Sequence, residues 1–317
     1  MPKVSVILVI YNAKKYIKRV FDAILSQTHK DLEIIAVING SADGSKELIE
    51  QSYPQVKILE PPVNNWSASN NLAIMQSTGE FIQLVNQDLI LAPDYIEQML
   101  KAFEDKRVAA ATGKLLRYDF DKMQKTNIID TTGIVISNSG RARDRGQLQE
   151  DQGQFDNETE VFAVSGAGPM FRRSALEEIK YCENYKCEYM DEDFVMYWED
   201  VDLSWRLNHC GYKCAYVPGA VGYHGRTAGQ AEKGYLHLFK FIQHHQKLNK
   251  QILKWNYQNH IFMYLKNTRW PSVQFIFREI AMLGYILVFE TSTLAVIPQI
   301  LRFWPKMMRK RKYILSE

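Results

Sequence analysis

The chain has 317 residues, 46% apolar and 24% charged, which excludes an intrinsically disordered or fibrous protein and allows one large domain or two ordinary ones. Its formal charge of +3 is unevenly spread: residues 230–317 carry 14 Lys/Arg against 4 Asp/Glu, net +10, and the preceding 229 residues carry net −7. An acidic body followed by a basic, aromatic tail calls for a partner, and nucleic acid and anionic membrane both fit the sign.

The first hundred residues alternate strand and helix. Val4–Ile10 is an apolar, β-branched run suited to a strand buried on both faces. Tyr16, Ile17, Val20, Phe21, Ile24 and Leu25 then recur at helical spacing. Leu32–Ile38, Val56–Leu59 and Phe81–Val85 read as further strands, and a helix is expected from about Pro93 to Phe103. Such alternation predicts a doubly wound α/β sheet. Residues 112–165 hold shorter β-like pieces, Ile128–Ile136 and Val161–Val164, around the polar segment Asn138–Gly153, so hairpins or lid-like loops are expected there. Helix signals return at Arg173–Ile179 and Asp200–His209, followed by a strand at Lys213–Val217. Beyond Gly229 the pattern is helical, basic and aromatic, which predicts an α/β body over 1–229 and a helical extension over 230–317.

Met1-Pro2-Lys3 runs directly into a strand with no signal-peptide pattern, and the longest late uncharged runs, Ile280–Phe289 and Thr291–Leu301, fall short of the ~20 apolar residues of a span. Cys182, Cys187, Cys210 and Cys214 are therefore read as reduced cytosolic thiols, small and buried. Their spacing alone does not make a zinc site.

Ligands of an open α/β sheet bind at the carboxyl ends of its strands. Three such ends are polar here: Tyr11-Asn12, Asn39–Ser45 and Asn86-Gln87-Asp88. Neither a G-x-G-x-x-G nor a Walker lysine motif is present. Asp43 serves either the pocket or the N-cap of the next helix. Asp88, between a buried strand and the apolar pair Leu89-Ile90, is placed to hold a hard divalent cation. A second constellation, Trp198-Glu199-Asp200-Val201-Asp202, puts three carboxylates at a helix start, with Asp200 and Asp202 pointing in different directions. Trp198 suits both desolvation of a general base and a sugar platform, and His224 is a third candidate.

The runs VSVILVIYN, NGSADGS, TGEFIQLVNQD and FVMYWEDVDLSWRL…GYKCAYVPGAVGYH, in this order and spacing over about residues 3–226, resemble the family 2 inverting glycosyltransferases of the GT-A fold. Residues 129–133, 141–146 and 164–173 are similar to its rhamnosyltransferase-like branch. The resemblance implies that Asp88, the last position of the D-x-D element Asn86-Gln87-Asp88, binds Mn2+ or Mg2+ on the donor diphosphate, with His224 near the metal. Asp200 would deprotonate the acceptor hydroxyl, with Glu199 beside it. Val9, Tyr11, Asn39, Asp43 and Asn86 would contact the nucleotide sugar, and Gly166, Gly168 and Trp198 the acceptor. Ile38 stands where the family usually has a base-reading aspartate, so Asn39, Asp43 or a carbonyl must substitute, or base selectivity is relaxed.

These readings predict metal-dependent, inverting transfer from a nucleotide-diphosphate sugar, rhamnose among the candidates, to a glycan or polyprenyl-linked acceptor in cell-surface polysaccharide synthesis. The alternative is a degenerate member that binds without turnover. Arg141, Arg143 and Arg145 read as solvated loop charge. Acidic pocket edges argue against nucleic acid. Arg302, Lys306 and Arg309–Lys312, interleaved with Phe303, Trp304, Met307 and Met308, predict contact with an anionic membrane, at the cytoplasmic face, with helices over about 272–301 lying in the interface.

Overall fold

Why the chain folds as it does is clearest in its first strand, where seven aliphatic or small residues leave no polar face for solvent. The computed structural model describes residues 1–226 and 248–316. The strands are β1 (Val4–Ile10), β2 (Leu32–Ile38), β3 (Lys57–Leu59), β4 (Phe81–Leu84), β5 (Leu89–Leu91), β6 (Val108–Asp119) and β7 (Gln124–Thr131). They continue with β8 (Ile134–Ile136), β9 (Ala142–Asp144), β10 (Glu160–Val161), β11 (Met170–Arg172), β12 (Tyr181–Glu183), β13 (Lys186–Glu188) and β14 (Lys213–His224). The helices are α1 (Lys14–Leu25), α2 (Ser45–Ser52), α3 (Trp66–Gln76), α4 (Tyr95–Ala102), α5 (Arg173–Ile179), α6 (Glu199–His209), α7 (Lys250–Asn267), α8 (Val273–Phe289) and α9 (Ile297–Ser316).

The main sheet runs β10-β14-β6-β11-β4-β1-β2-β3, with β5 and β7 added to β14 and β6. Its β4-β1-β2-β3 half is parallel, as expected, and Ile10 lies level with Ile38, so the chain leaves β1 and β2 at one edge. The other half is mixed, because the short β11 pairs antiparallel with both β4 and β6. Two clusters of aliphatic and aromatic side chains fill the two faces of this sheet.

Several expectations need correction. Trp66–Gln76, where the sequence reading placed no element, form the helix α3, and Asn65 caps it by accepting from the Ala68 amide at 2.9 Å. Residues 108–119 form one strand of twelve residues, where the sequence suggests short pieces. β14 continues past Val217 to His224 through a register shift, which absorbs Pro218 and Gly219. Cys182 and Cys187 face each other across the β12–β13 hairpin and form a disulfide, so they are not reduced thiols, and the cysteine argument for a reducing compartment falls with them. Neither Cys210 nor Cys214 is in a disulfide, and of the two only Cys214 is buried. Arg145 is not a solvated loop charge. It is buried between the rings of Phe155 and Tyr216, at 5.3 and 4.9 Å, and donates to Thr132.

The expected boundary near residue 229 lies outside the described residues. The helices beyond it share a core with the catalytic body: Phe262, Met263, Tyr264, Val296 and Met307 pack with Ile134, Ala163, Phe194 and Val201. The charge asymmetry also closes within the chain. Lys310 is buried and donates to Glu188, to Asp191 at 2.6 Å and to Asp193 at 3.1 Å. Lys266 pairs with Asp191 and, at 3.0 Å, with Asp202. Lys306 pairs with Asp193 and Arg309 with Glu183. The sequence therefore overstates the lipid-facing charge of the tail. Of its six cations, Lys306, Arg309 and Lys310 bind the acidic body, and Arg311 donates to the Arg269 carbonyl.

Candidate active site

The strand ends β1, β2 and β4 meet as the topology requires. Val9 is buried at the end of β1, and Tyr11 beyond it is exposed. Gln87 stitches two of these ends together, its Oε1 accepting from the Tyr11 amide at 2.7 Å and its Nε2 donating to the Tyr11 carbonyl. Asn39 is buried; it donates to Asn64 Oδ1 at 2.9 Å and accepts from Ser69 at 3.1 Å. Asp43 does not cap α2, whose N-cap is Gly44 in the left-handed region at φ 84°. Its carboxylate ties the 39–45 loop to α1, accepting from the Lys14 amide at 2.9 Å and from the Ser45 amide and hydroxyl.

The pairing of β14 with β5 puts His224 opposite Leu89 and hence beside Asp88. His224 Nε2 stands 3.2 Å from Asp88 Oδ1 and its Nδ1 2.8 Å from Asp130 Oδ2. Asn86 Nδ2 is 3.4 Å from the same Nε2. Burial alone would lower the imidazole's proton affinity, but Asp88 and Asp130 on either side reverse this and raise it to about 10. Burial opposes ionisation of Asp130, yet His224 and Arg226 hold it down to about 2. Arg226 bridges Asp130 and Asp144 at 2.8 and 2.9 Å, and Arg117 lies 3.7 Å from Asp130. The sequence reading gave Asp130, Asp144 and Arg226 no role. The single charged residue of the β-branched Ile128–Ile136 run was the available signal for Asp130.

Among the described residues, no cluster of three or more His, Cys, Asp or Glu stands ready to hold a metal. Two donors do converge, Asp88 Oδ1 and His224 Nε2, where the free protein needs only a proton between them. A carboxylate and an imidazole oriented by a second carboxylate fit two ligands of a divalent cation whose remaining ligands come from a bound molecule.

The second constellation sits on α6. Asp200 Oδ2 accepts from the Gly166 amide and Oδ1 from the Val201 amide, both at 2.8 Å. A Cβ at Gly166 would lie 3.2 Å from Asp200 Oδ2, so a glycine is what permits this approach. Loss of hydration in this recess, with the nearby charge of Asp144, outweighs the two amide bonds and pushes Asp200 up to about 6. Glu199 is buried with Oε2 lacking a protein hydrogen-bond partner; burial first and Asp200 second raise it well above the usual carboxylate range. Asp202 points away, as expected, into Arg206, Lys266 and Asn267. Trp198 donates to Asn256 Oδ1 at 3.2 Å and meets the His260 ring edge-on. Gly168 is packed against Leu89 and Tyr95, and its carbonyl accepts from the Tyr95 hydroxyl at 2.7 Å. The Asn86 amide donates to Ala167 at 2.8 Å, next to Gly166, so one short segment joins the Asp88 and Asp200 sites.

These features define an α/β fold of the nucleotide-sugar-transferase type in which one short segment joins two buried carboxylate sites. The sequence profile of glycosyl transferase family 2 matches residues 5–180, more than half of the chain, and the chain belongs to that family. It is 24% identical over 253 residues to EpsH of Bacillus subtilis (strain 168), which carries the name of a glycosyltransferase, covering 78% of this chain and 64% of that protein. It is 24% identical to the poly-beta-1,6-N-acetyl-D-glucosamine synthase of Staphylococcus epidermidis, covering 69% of this chain and 48% of that one. The hyaluronan synthase of Pasteurella multocida is 35% identical over 113 residues, covering 34% of this chain and 12% of that one. The chain thus spans less than two thirds of these relatives' lengths.

Among solved structures, GalNAc-T7 with UDP, GalNAc and Mn2+ superposes with a TM-score of 0.58 at 14% identity, covering 71% of this chain and 44% of that one. The mannosyltransferase PcManGT of Pyrobaculum calidifontis, with GDP-Man and Mn2+, gives 0.52 at 17% identity, covering 99% and 86%. These neighbours share the GT-A-type fold.

Proposed function

We propose that this family 2 glycosyltransferase moves a sugar, with inversion, from a nucleotide-diphosphate donor to a glycan or lipid-linked acceptor in polysaccharide synthesis. The observation that carries this reading is the joining, through residues 166–168, of the Asp88–His224 pair to a carboxylate whose proton affinity suits a general base. The relatives' names support a polysaccharide product, and the ligands of the structural neighbours support a nucleotide-sugar donor and a divalent cation. A rhamnosyl donor rests on the resemblance of residues 129–133, 141–146 and 164–173 alone. The non-transferring alternative is disfavoured by the raised Asp200, an arrangement that binding does not need.

In this mechanism Asp200, steered by the Gly166 amide, takes the acceptor hydroxyl proton as that oxygen attacks the anomeric carbon and the nucleoside diphosphate leaves from the opposite face. Burial and the neighbouring Asp200 both oppose ionisation of Glu199, which disfavours a second charge beside the base. Asp88 and His224 would hold the cation, which neutralises charge on the departing diphosphate. Asn39, Tyr11 and Val9 lie where the donor's nucleoside meets the strand ends. A thermal-shift screen of dTDP-, UDP- and GDP-sugars with and without Mn2+ tests the assignment. One nucleotide class should stabilise the wild type more with Mn2+ than without, and Asp88→Ala should lose that difference. A metal-dependent shift that survives in Asp88→Ala contradicts it.

The membrane belongs to the same reading, with α8 as its main contact. Val273, Phe277, Ile280 and Val288 are 67%, 68%, 64% and 70% exposed, whereas the helix's charged residues, Arg278 and Glu279, turn inward onto His260. Exposed Trp270 precedes α8, and exposed Trp304, Arg302 and Lys312 follow on α9, a composition suited to anionic lipid at an inner membrane face. Among the described residues no single helix is long and apolar enough to cross a membrane; residues 273–289 and 291–315 pass that test only as a pair bent by 118°.

A further inference from the structure

The turn that delivers the base is strained. Val195, Tyr197 and Trp198, immediately before Glu199-Asp200, have φ of 61°, 73° and 73°, in the left-handed region that side-chain-bearing residues seldom occupy. Such backbone is costly for residues that carry a side chain, so the turn persists only where its surroundings hold it.

Two grips are visible. On one side the Val195 carbonyl accepts from the Trp66 and Ser67 amides at the start of α3. On the other, Asn259 of α7 is fully buried, and its side-chain amide donates to the carbonyls of Phe194, Met196 and Tyr197 at 2.7, 2.9 and 3.1 Å. The same face of α7 reaches further along the catalytic segment: Asn256 accepts from Trp198, and Asn267 donates to Asp202 at 2.8 Å. A buried helix face normally offers aliphatic side chains, so this row of asparagines needs an explanation, and the strained carbonyls supply it.

We propose that Asn259, in the helical segment beyond the family match, is a positioning residue that clamps the 194–198 turn and so sets where Asp200 stands in the transfer reaction. Asn259 itself bonds to none of Asp88, His224 and Asn39, whose partners lie on β14, β7 and α3. Its loss should therefore spare donor binding and strike the chemical step, since a misplacement of about 1 Å can cost ~10²-fold in rate.

The inference rests on Asp200 being the base, and the experiment separates the two claims. In the full chain, Asn259→Ala and the milder Asn256→Ala are compared with wild type and Asp200→Asn. The readouts are nucleoside-diphosphate release from the dTDP-, UDP- or GDP-sugar selected by thermal shift with Mn2+, and amide hydrogen exchange. Asn259→Ala should lower kcat by about 10²-fold with donor KM within twofold, and speed exchange of amides 195–201 at least tenfold while β1 and β4 stay protected. Asn256→Ala should lower kcat about three- to tenfold in the same pattern, and carries the test if Asn259→Ala does not fold. Wild-type kcat in the folded variants, or an equal loss in donor affinity, overturns the clamp. Active Asp200→Asn instead overturns the assignment of the base.

Discussion

Lys310 offers a sharp test of whether the basic C-terminal helix belongs to the folded body. Its ammonium is buried among Glu188, Asp191 and Asp193, and the carboxylates have unequal alternatives. Asp191 also pairs with Lys266 and Asp193 with Lys306, whereas Lys310 is the only cation within ion-pair distance of Glu188 among the described residues. Lys310→Met keeps the aliphatic stem and removes the charge. Breaking a buried pair costs about 3–5 kcal/mol; with two carboxylates still compensated, the lower end, ~3 kcal/mol, is expected. For a chain of this length that is a fall in Tm of roughly 4–5 °C. The loss should depend on pH with a definite sign. Burial and Asp191 already push Glu188 above its ordinary value, and removing Lys310 pushes it further. A carboxyl raised in the folded state destabilises once ionised, so the penalty should be large at pH 8 and shrink as pH falls towards the unfolded value of about 4.3. Urea unfolding of wild type and variant at pH 5 and pH 8 measures both. A penalty under about 1 kcal/mol, equal at the two pH values, would refute the docked, buried network.

Two further outcomes follow from the site and from α8. Because Asp200 must be ionised to accept a proton and is raised to about 6, kcat/KM should rise about tenfold per pH unit below that value and level off above it; a profile flat from pH 5 to 8 argues against this base. Phe277→Gln with Ile280→Gln, both on the exposed face of α8, should reduce flotation with anionic phosphatidylserine vesicles at least fivefold without lowering Tm; undiminished flotation places the membrane contact elsewhere.

Much of the donor half was legible in sequence, because β1, β4 and most of β2 are buried and their apolar runs have few other readings. Val4–Ile10 and Leu32–Ile38 end where the structure ends them. What stayed hidden lacks that periodicity. Four of the six buried residues of α3, Ser67, Ser69, Asn70 and Asn71, are polar, so the helix carries no long apolar stripe in the sequence. β6 is rich in alanine with Gly113 and Lys114 inside it, residues that seldom mark strands and here are accommodated by tight neighbours. Asp88, Asp200 and His224 could be named from motifs, but the Asp130–Arg226–Asp144 network behind His224 depends on the register of β6, β7 and β14, which sequence patterns do not fix. The same holds for the tail. Its charge was visible, while its acidic partners on β13 and the following turn appear only once the chain is folded.

The central claim is that Asp200 removes the acceptor proton in a site whose donor half is separate. Asp200→Asn keeps the side chain's size and the neutral form the wild type already adopts below pH 6. With the donor and Mn2+ bound as in wild type by thermal shift, and with Tm preserved, the variant should lose transfer by ~10²–10⁴-fold. Turnover close to wild type in that variant would contradict the account.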